Sequence, residues 1–330
     1  ARPDVTGKLR VLGTGTAQGY ADDLLHRIEQ YAERCLAIAE HQRFDVIHAH
    51  DWMTFPAAAR IAGRTGRPMI AHVHATEFDR SGEHVNQTIY DIERSGIAAA
   101  DRVIAVSHRT RDLLLRHYAA DSSRVEVVHN GIEPTQVDAL GDAGSMRRGR
   151  EPIVLFLGRL TRQKGPGYFL ETAKRVLRET DRVKFVIAGW GDLAPQMVDD
   201  VAAQGLGHKI LFSGFLQGPD VDRAFRSASV YVMPSLSEPF GLTALEAVRN
   251  GVPVVVSKSC GVCEVLDGGV LRVDCWDTER MAGHILRLLH QPGLASTMRR
   301  DGAAALARLS WDPPARRCVA LYERLIGQAM

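Results

Sequence analysis

Short apolar runs alternate with longer amphipathic stretches along almost the whole chain, and this alternation restricts the fold more than any other feature. Residues 45–50, 69–73, 102–106 and 125–128 read as buried strands. Residues 21–40, 55–65, 86–99 and 109–117 between them read as helices. Apolar strands separated by helices imply a parallel sheet with both faces covered. The pattern then stops over 135–150, which is polar, rich in Gly, Ala and Arg, and without an apolar period. That stretch reads as an interdomain linker with a neighbouring helix. The alternation restarts with strands at 153–157, 184–188, 210–213, 230–233, 252–257 and 270–273. Helices fit at 168–179, 193–204, 220–227, 242–250 and 279–290, with a last helical segment over 298–330 interrupted at Trp311-Asp-Pro-Pro314. Asn250-Gly251-Val252-Pro253 is a helix stop. Two doubly wound α/β domains are predicted, residues 1–145 and 146–308, followed by a terminal helix over 309–330.

Composition excludes several function classes. A net charge of +2 in 330 residues offers no basic face for nucleic acid. The longest apolar runs are too short to span a bilayer. Five scattered cysteines, an odd number, suggest a reducing, cytoplasmic setting. Cys260-Gly-Val-Cys263 is the one close pair; a redox role and a plain tight loop are its two readings. The first residue is Ala1 rather than Met, as in a trimmed or partial chain.

In open parallel sheets, ligands bind where strands end and helices begin. Three such corners carry unusual residues. After the strand ending at Met233, the run Pro234-Ser-Leu-Ser-Glu238-Pro-Phe240-Gly241-Leu242-Thr-Ala-Leu-Glu246 opens a helix. Free N–H groups at that helix start attract an anion. Glu238 just before it can accept bonds from sugar hydroxyls, and Glu246 inside it can reach a ribose diol. The plain alternative is a turn acid and a solvated helix residue. A second corner, Gly158-Arg159-Leu-Thr-Arg-Gln-Lys164-Gly165, places two cations after a buried strand. A fork-shaped guanidinium and an ammonium supply the charge that a pyrophosphate leaving group needs. Arg162 reads as the solvated member. The third corner, Gly189-Trp-Gly191-Asp192, permits close backbone approach to a ligand.

The first half offers histidines at two strand ends, His48-Ala-His50-Asp51 and His72-Val-His74-Ala-Thr-Glu77. Alternation points His72 and His74 the same way. Their spacing matches no recognised metal-ligand set, so no metal is expected. The glycine-rich run Leu9–Gly19 looks like a dinucleotide fingerprint, but no acid ends the next strand at the required distance. It reads as a linker-like turn.

Taken in this order, the corners resemble the group-1 (GT4) retaining glycosyltransferases over roughly residues 44–325. The most specific piece is the Glu-x7-Glu motif of Glu238 and Glu246 with Pro-Phe-Gly-Leu inside it. The Gly-Arg-Leu-x3-Lys-Gly run at 158–165 is nearly as diagnostic. Ala105-Val-Ser107, Val128-His-Asn130-Gly131-Ile132, Gly189-Trp-Gly191 and Pro234-Ser235 support it. His74-Ala-Thr-Glu77-Phe-Asp-Arg80 resembles the glycogen- and starch-synthase-related branch. The resemblance implies a GT-B fold, two Rossmann-like domains facing a cleft, and a helix near Trp311 crossing back to the first domain. It implies a hexose, glucose in the first instance, moved from a nucleotide sugar to a carbohydrate or other hydroxyl acceptor without a metal or further cofactor. Arg159 and Lys164 would hold the diphosphate. Glu238 and the N–H groups of Phe240, Gly241 and Leu242 would bind the sugar. Glu246 would hold the ribose, Gly189, Gly191 and Asn130 would complete the donor site, and His74 would face the transferred sugar. The implied catalytic set is Glu238, His74, Arg159 and Lys164. Glu238 reads as a binder, not a nucleophile. The family's opening strand and Gly-Gly loop do not precede Phe44, so the first domain is expected to be incomplete. A nucleotide-sugar-binding remnant and a UDP-sugar epimerase on the same architecture are the alternative functions.

Overall fold

The computed structural model describes residues 17–133 and 150–329. Most of the 135–150 linker and of the 9–19 glycine-rich run therefore lies outside the described residues. The first unit comprises α1 (Ala17–Ala39), β1 (Ile47–His50), α2 (Phe55–Thr65), β2 (Met69–Val73), α3 (Glu77–Ser81), α4 (Gln87–Ala99), β3 (Arg102–Ala105), α5 (His108–His117) and β4 (Val125–Val127). Its strands form one sheet in the order β1-β2-β3-β4, parallel throughout. The second unit comprises β5 (Ile153–Leu157), α6 (Pro166–Glu179), β6 (Lys184–Ala188), α7 (Ala194–Ala203), β7 (Ile210–Gly214), α8 (Pro219–Ser227), β8 (Val230–Met233), α9 (Leu242–Arg249), β9 (Val254–Ser257), β10 (Val270–Val273), α10 (Thr278–His290) and α11 (Pro292–Leu306). Its parallel sheet runs β10-β9-β8-β5-β6-β7. Helix α12 (Asp312–Ala329) ends the chain. The two parallel-sheet units are those that the alternation predicts, and together they give the GT-B architecture that the resemblance implies.

Most elements form where their residues predict them. β2, β8 and β9 are buried along their whole length, as strands covered on both faces must be. Two differences have local causes. Helix α3 has five residues, too few for an apolar period to show; a capping box between Thr76 and Asp79 starts it. The final helical segment divides at 307–311, and Pro313 and Pro314 fall in the first turn of α12, where a missing N–H costs nothing. Among the described residues, no helix is long and apolar enough to cross a membrane.

The second unit has a core on each face of its sheet. Phe156, Phe169 and Phe185 interlock on one face with ring centroids 5.6 and 5.7 Å apart. Phe225, Tyr231 and Leu245 lie on the other. The first unit buries one face of its sheet beneath α2, α4 and α5 around Phe55, Met69 and Leu114. Helix α12 covers its other face: Leu321 and Leu325 pack on Ile70, Ile104 and Val128. Arg324 adds an ion pair to Glu126 at 2.6 Å, on the exposed rim, and contributes little. The return of the terminal helix to the first unit thus rests on apolar burial.

Leu321 is 1 % exposed, whereas Val319 on the same helix is 49 % exposed. Leu321→Ala is expected to cost about 2–5 kcal/mol and Val319→Ala less than about 0.5 kcal/mol. Thermal unfolding of both variants checks this; equal midpoints would show that α12 is not docked through Leu321.

Candidate active site

The order of the second sheet reverses at β5, with β8 on one side and β6 on the other. A crevice opens at such a switch point, beyond the carboxyl ends of the strands. The loops that line it are locked by backbone contacts. Gly158 N donates to Ala188 O at 3.0 Å, and Leu160 N to Trp190 O at 3.0 Å. A Cβ on Gly189, whose φ is +140°, would fall 1.9 Å from Gly158 O. A Cβ on Gly165, with φ +67°, would fall 2.1 Å from Pro234 O. Glycine is the one residue that permits either approach. The 3₁₀ turn Arg162–Lys164 is therefore pressed against the loop that follows β8.

That contact assembles the predicted residues. Leu236 N donates to Gln163 O at 2.9 Å, and Gln163 Nε2 to Ser237 O at 3.1 Å. Lys164 Nζ meets Glu238 Oε2 at 2.5 Å, and Ser235 Oγ approaches the same oxygen at 3.4 Å. Glu238 is buried, and its backbone is pinned to the next corner: its N–H donates to Ser259 O and its carbonyl accepts from Gly261 N, both at 3.0 Å. Helix α9 then starts at Gly241 with no side-chain cap. The N–H groups of Phe240, Gly241 and Leu242 have no hydrogen-bond partner among the described residues. Arg159 is exposed, and its guanidinium is likewise unpartnered among them. Glu246 is half-buried on α9; burial raises its carboxyl, Arg249 opposes that, and Asp222 reinforces it. Gly191 packs on Leu160 O, beside Gly189. The structure thus brings together the Lys164 ammonium and the Glu238 carboxylate beside the uncapped start of α9, with Arg159 in the loop after β5 and Glu246 further along α9. Arg162 is exposed, as expected. Asn130 lines a hollow of about 160 Å³ with Arg308, Ser310 and Pro313.

From the first unit, β2 delivers His74. Asp51, itself at φ +60°, accepts from His74 N at 2.7 Å. His50 Nδ1 and His74 Nε2 are 2.9 Å apart, and His48 Nε2 and His72 Nδ1 are 3.1 Å apart. His72 and His74 do share a face, with ring centroids 4.3 Å apart. Spacing along one strand could not show what strand register does: His50 lies opposite His72 across the parallel pair. The ring nitrogens of His48, His50 and His72 come within 4.8 Å of one another, and so do donor atoms of His108, His129 and Glu264. His72 Nε2 is buried without a partner among the described residues.

The two units meet through residues to which the sequence assigns no individual role. Ser107 Oγ donates to Pro239 O at 2.7 Å. Glu264 accepts from the first N–H groups of α5, His108 at 2.8 Å and Arg109 at 2.9 Å, and pairs with His129 at 2.8 Å. Burial pulls its carboxyl upward, but the His129 bond and those N–H groups outweigh this and hold it below its ordinary value. Ser237 Oγ bonds Asp79 at 2.5 Å and accepts from Arg109 at 2.7 Å. The Ala105-Val-Ser107 run was the available signal, because Ser107 is also the N-cap of α5. Cys260 and Cys263 are free, and burial pushes the Cys260 thiol well up, with Glu238 acting in the same direction. A buried, protonated thiol is a poor nucleophile, which favours the tight-loop reading.

Burial and the neighbouring rings push His48 down to about 4 and His72 down to about 2. In the unfolded chain both take a proton below about pH 6.5. Unfolding in acid therefore consumes protons, so their contribution to stability is whole above about pH 6.5 and is lost as pH falls toward 4 and below. Urea midpoints measured from pH 7 to pH 4.5 should fall, and His48→Asn should flatten the slope. A wild-type profile that does not fall would refute a neutral His48 and His72 in the folded protein.

Comparison with known proteins agrees with this geometry. Residues 143–304 match the model for glycosyl transferases group 1, and residues 12–136 the model for Glycosyltransferase Family 4. An uncharacterized glycosyltransferase of Methanocaldococcus jannaschii is 31 % identical over 308 residues, covering 88 % of this chain and 78 % of that protein. In fold, the chain resembles the sucrose-phosphate synthase of Thermosynechococcus elongatus, with TM-score 0.78, 23 % identity, and 93 % and 80 % of the two chains covered. It also resembles Anabaena HepE in complex with UDP and glucose, with TM-score 0.72, 18 % identity, and 94 % and 84 % covered. The chain belongs to the group-1 glycosyl transferases and is a glycosyltransferase of GT-B fold.

Proposed function

We propose that the protein transfers a hexose, glucose in the first instance, from a nucleoside-diphosphate sugar to a hydroxyl acceptor, with retention at the anomeric carbon. The observation that carries this reading is the Lys164–Glu238 pair, 2.5 Å apart at the switch point and beside the uncapped start of α9. Residues 146–308 form the donor half in this reading. Arg159 and Lys164 meet the diphosphate charge, so no metal is required. Glu238, held by Lys164, accepts from sugar hydroxyls, and the N–H groups of Phe240, Gly241 and Leu242 face the leaving group. Glu246 takes the ribose diol, Gly189 and Gly191 admit the nucleotide closely, and His74 bounds the sugar from the acceptor side. The similarity to HepE, solved with UDP and glucose, supports this choice of donor. The acceptor oxygen attacks C1 from the face that the diphosphate leaves. The C1–O bond to the diphosphate breaks, and the acceptor proton departs with it.

A panel of UDP-, ADP- and GDP-sugars with a glucan acceptor tests the reading. Arg159→Ala should lower kcat/KM by a factor of about 100 or more, the loss of one transition-state charge contact of about 2.7–4 kcal/mol. It should also abolish the thermal shift given by UDP or ADP. Lys164→Met leaves the buried Glu238 unpaired and should cost stability as well as rate, about 3–5 kcal/mol. Activity should survive EDTA, and an α-donor should give an α-product by NMR. An inverted product would reject retention, and nucleotide binding without turnover would reject catalysis.

A further inference from the structure

A cavity of about 370 Å³ lies where α3 and α5 of the first unit meet the 162–164 turn and the loop after β8. Small-ligand sites commonly occupy about 300–1,000 Å³. Its lining is basic, with Arg80, Arg109, Arg116 and Arg162 beside His84 and His117. Phe78 and Leu113 give it an apolar wall, and two acids, Asp79 and Glu83, share the lining.

The partners of these groups decide what the cavity lacks. Arg80 is neutralised by Glu77 at 3.0 Å and Glu93 at 2.5 Å. The Asp79 carboxylate is occupied by the backbone and hydroxyl of Thr76 and by Ser237. Arg109 donates through one Nη to Ser237, yet its Nε is buried without a partner among the described residues. Arg116 donates, among those residues, to the Asp112 carbonyl at 3.2 Å. Arg162 is exposed, and its guanidinium has no partner among the described residues. Among those residues, none of these three guanidiniums is paired with a carboxylate. Three like charges around one hollow repel, and an unmet buried N–H is costly. One ligand with several anionic oxygens relieves both, and guanidinium forks match phosphate oxygens in pairs. The C–H face of a sugar ring can lie on Phe78 and Leu113.

We propose that this cavity recognises the phosphate of a phosphorylated sugar. Gln163 and Ser237 in its wall are the chain neighbours of Lys164 and Glu238. A sugar phosphate seated there is therefore either the hydroxyl acceptor itself or an effector bound across both units. The acceptor role rests on the transferase reading above; recognition of the phosphate does not.

The test uses the whole chain with glucose 6-phosphate, inorganic phosphate and, as neutral control, glucose. Calorimetry should show glucose 6-phosphate binding at least tenfold tighter than glucose, with inorganic phosphate competing. The Arg116→Ala/Arg162→Ala variant should weaken that binding at least tenfold while keeping its unfolding midpoint and its thermal shift with UDP. Arg162→Ala alone should show part of the loss, should the double variant fail to fold. Equal affinity for glucose and glucose 6-phosphate, no binding of either, or full affinity in the variants would overturn the assignment. Absence of any nucleotide effect on the wild type would instead defeat the donor reading and leave this one standing. With labelled donor, label in a phosphate-bearing product identifies the acceptor. Glucose 6-phosphate recovered unchanged while transfer to a glucan accelerates identifies an effector.

Discussion

The Lys164–Glu238 ion pair is the contact on which the site depends. It joins the 3₁₀ turn that follows β5 to the irregular loop that follows β8. An isolated pair this well buried is poor evidence of stability, because desolvation offsets much of its attraction. Its value here is positional. Each partner is fixed by backbone, Lys164 through the pressed turn at Gly165 and Glu238 through bonds to Ser259 and Gly261. The charges are brought together by the chain, and their attraction then selects one geometry for a carboxylate that must present its remaining lone pairs to the crevice.

The same loop makes the interface between the units. Residues 237–239 touch Asp79, Arg109 and Ser107, while Glu264 caps α5 from the opposite unit. Apolar burial accompanies these bonds: Val106 and Ile132 of the first unit belong to the same buried cluster as Phe240, Cys260 and Val262. The units are therefore joined here by directional bonds and buried side chains together, and beneath α12 by buried side chains.

Periodicity made the sheets and most helices legible, because strands buried on both faces leave apolar runs that no turn can imitate. Lys164 and Glu238, which meet in the structure, stood out in the sequence because corners at strand ends are where unusual residues are visible. Residues acting across the gap between units did not. Ser237 and Glu264 are ordinary residues in the chain, and only the docking of one unit on the other gives them a role. The histidine tetrad illustrates the same limit: each pair is visible within its strand, but the parallel register that stacks the pairs is a tertiary fact.

Helix α12 has a consequence for how the protein is made. Leu321 and Leu325 complete a core whose other members, Ile70, Ile104 and Val128, are synthesised far earlier. Until α12 has been made, one face of the first sheet is without its cover. The second unit, whose core around Phe156, Phe169 and Phe185 is built from its own residues, lies between the two in the chain. The sheet made first is therefore covered last, and an apolar sheet face open in the interval is prone to aggregate.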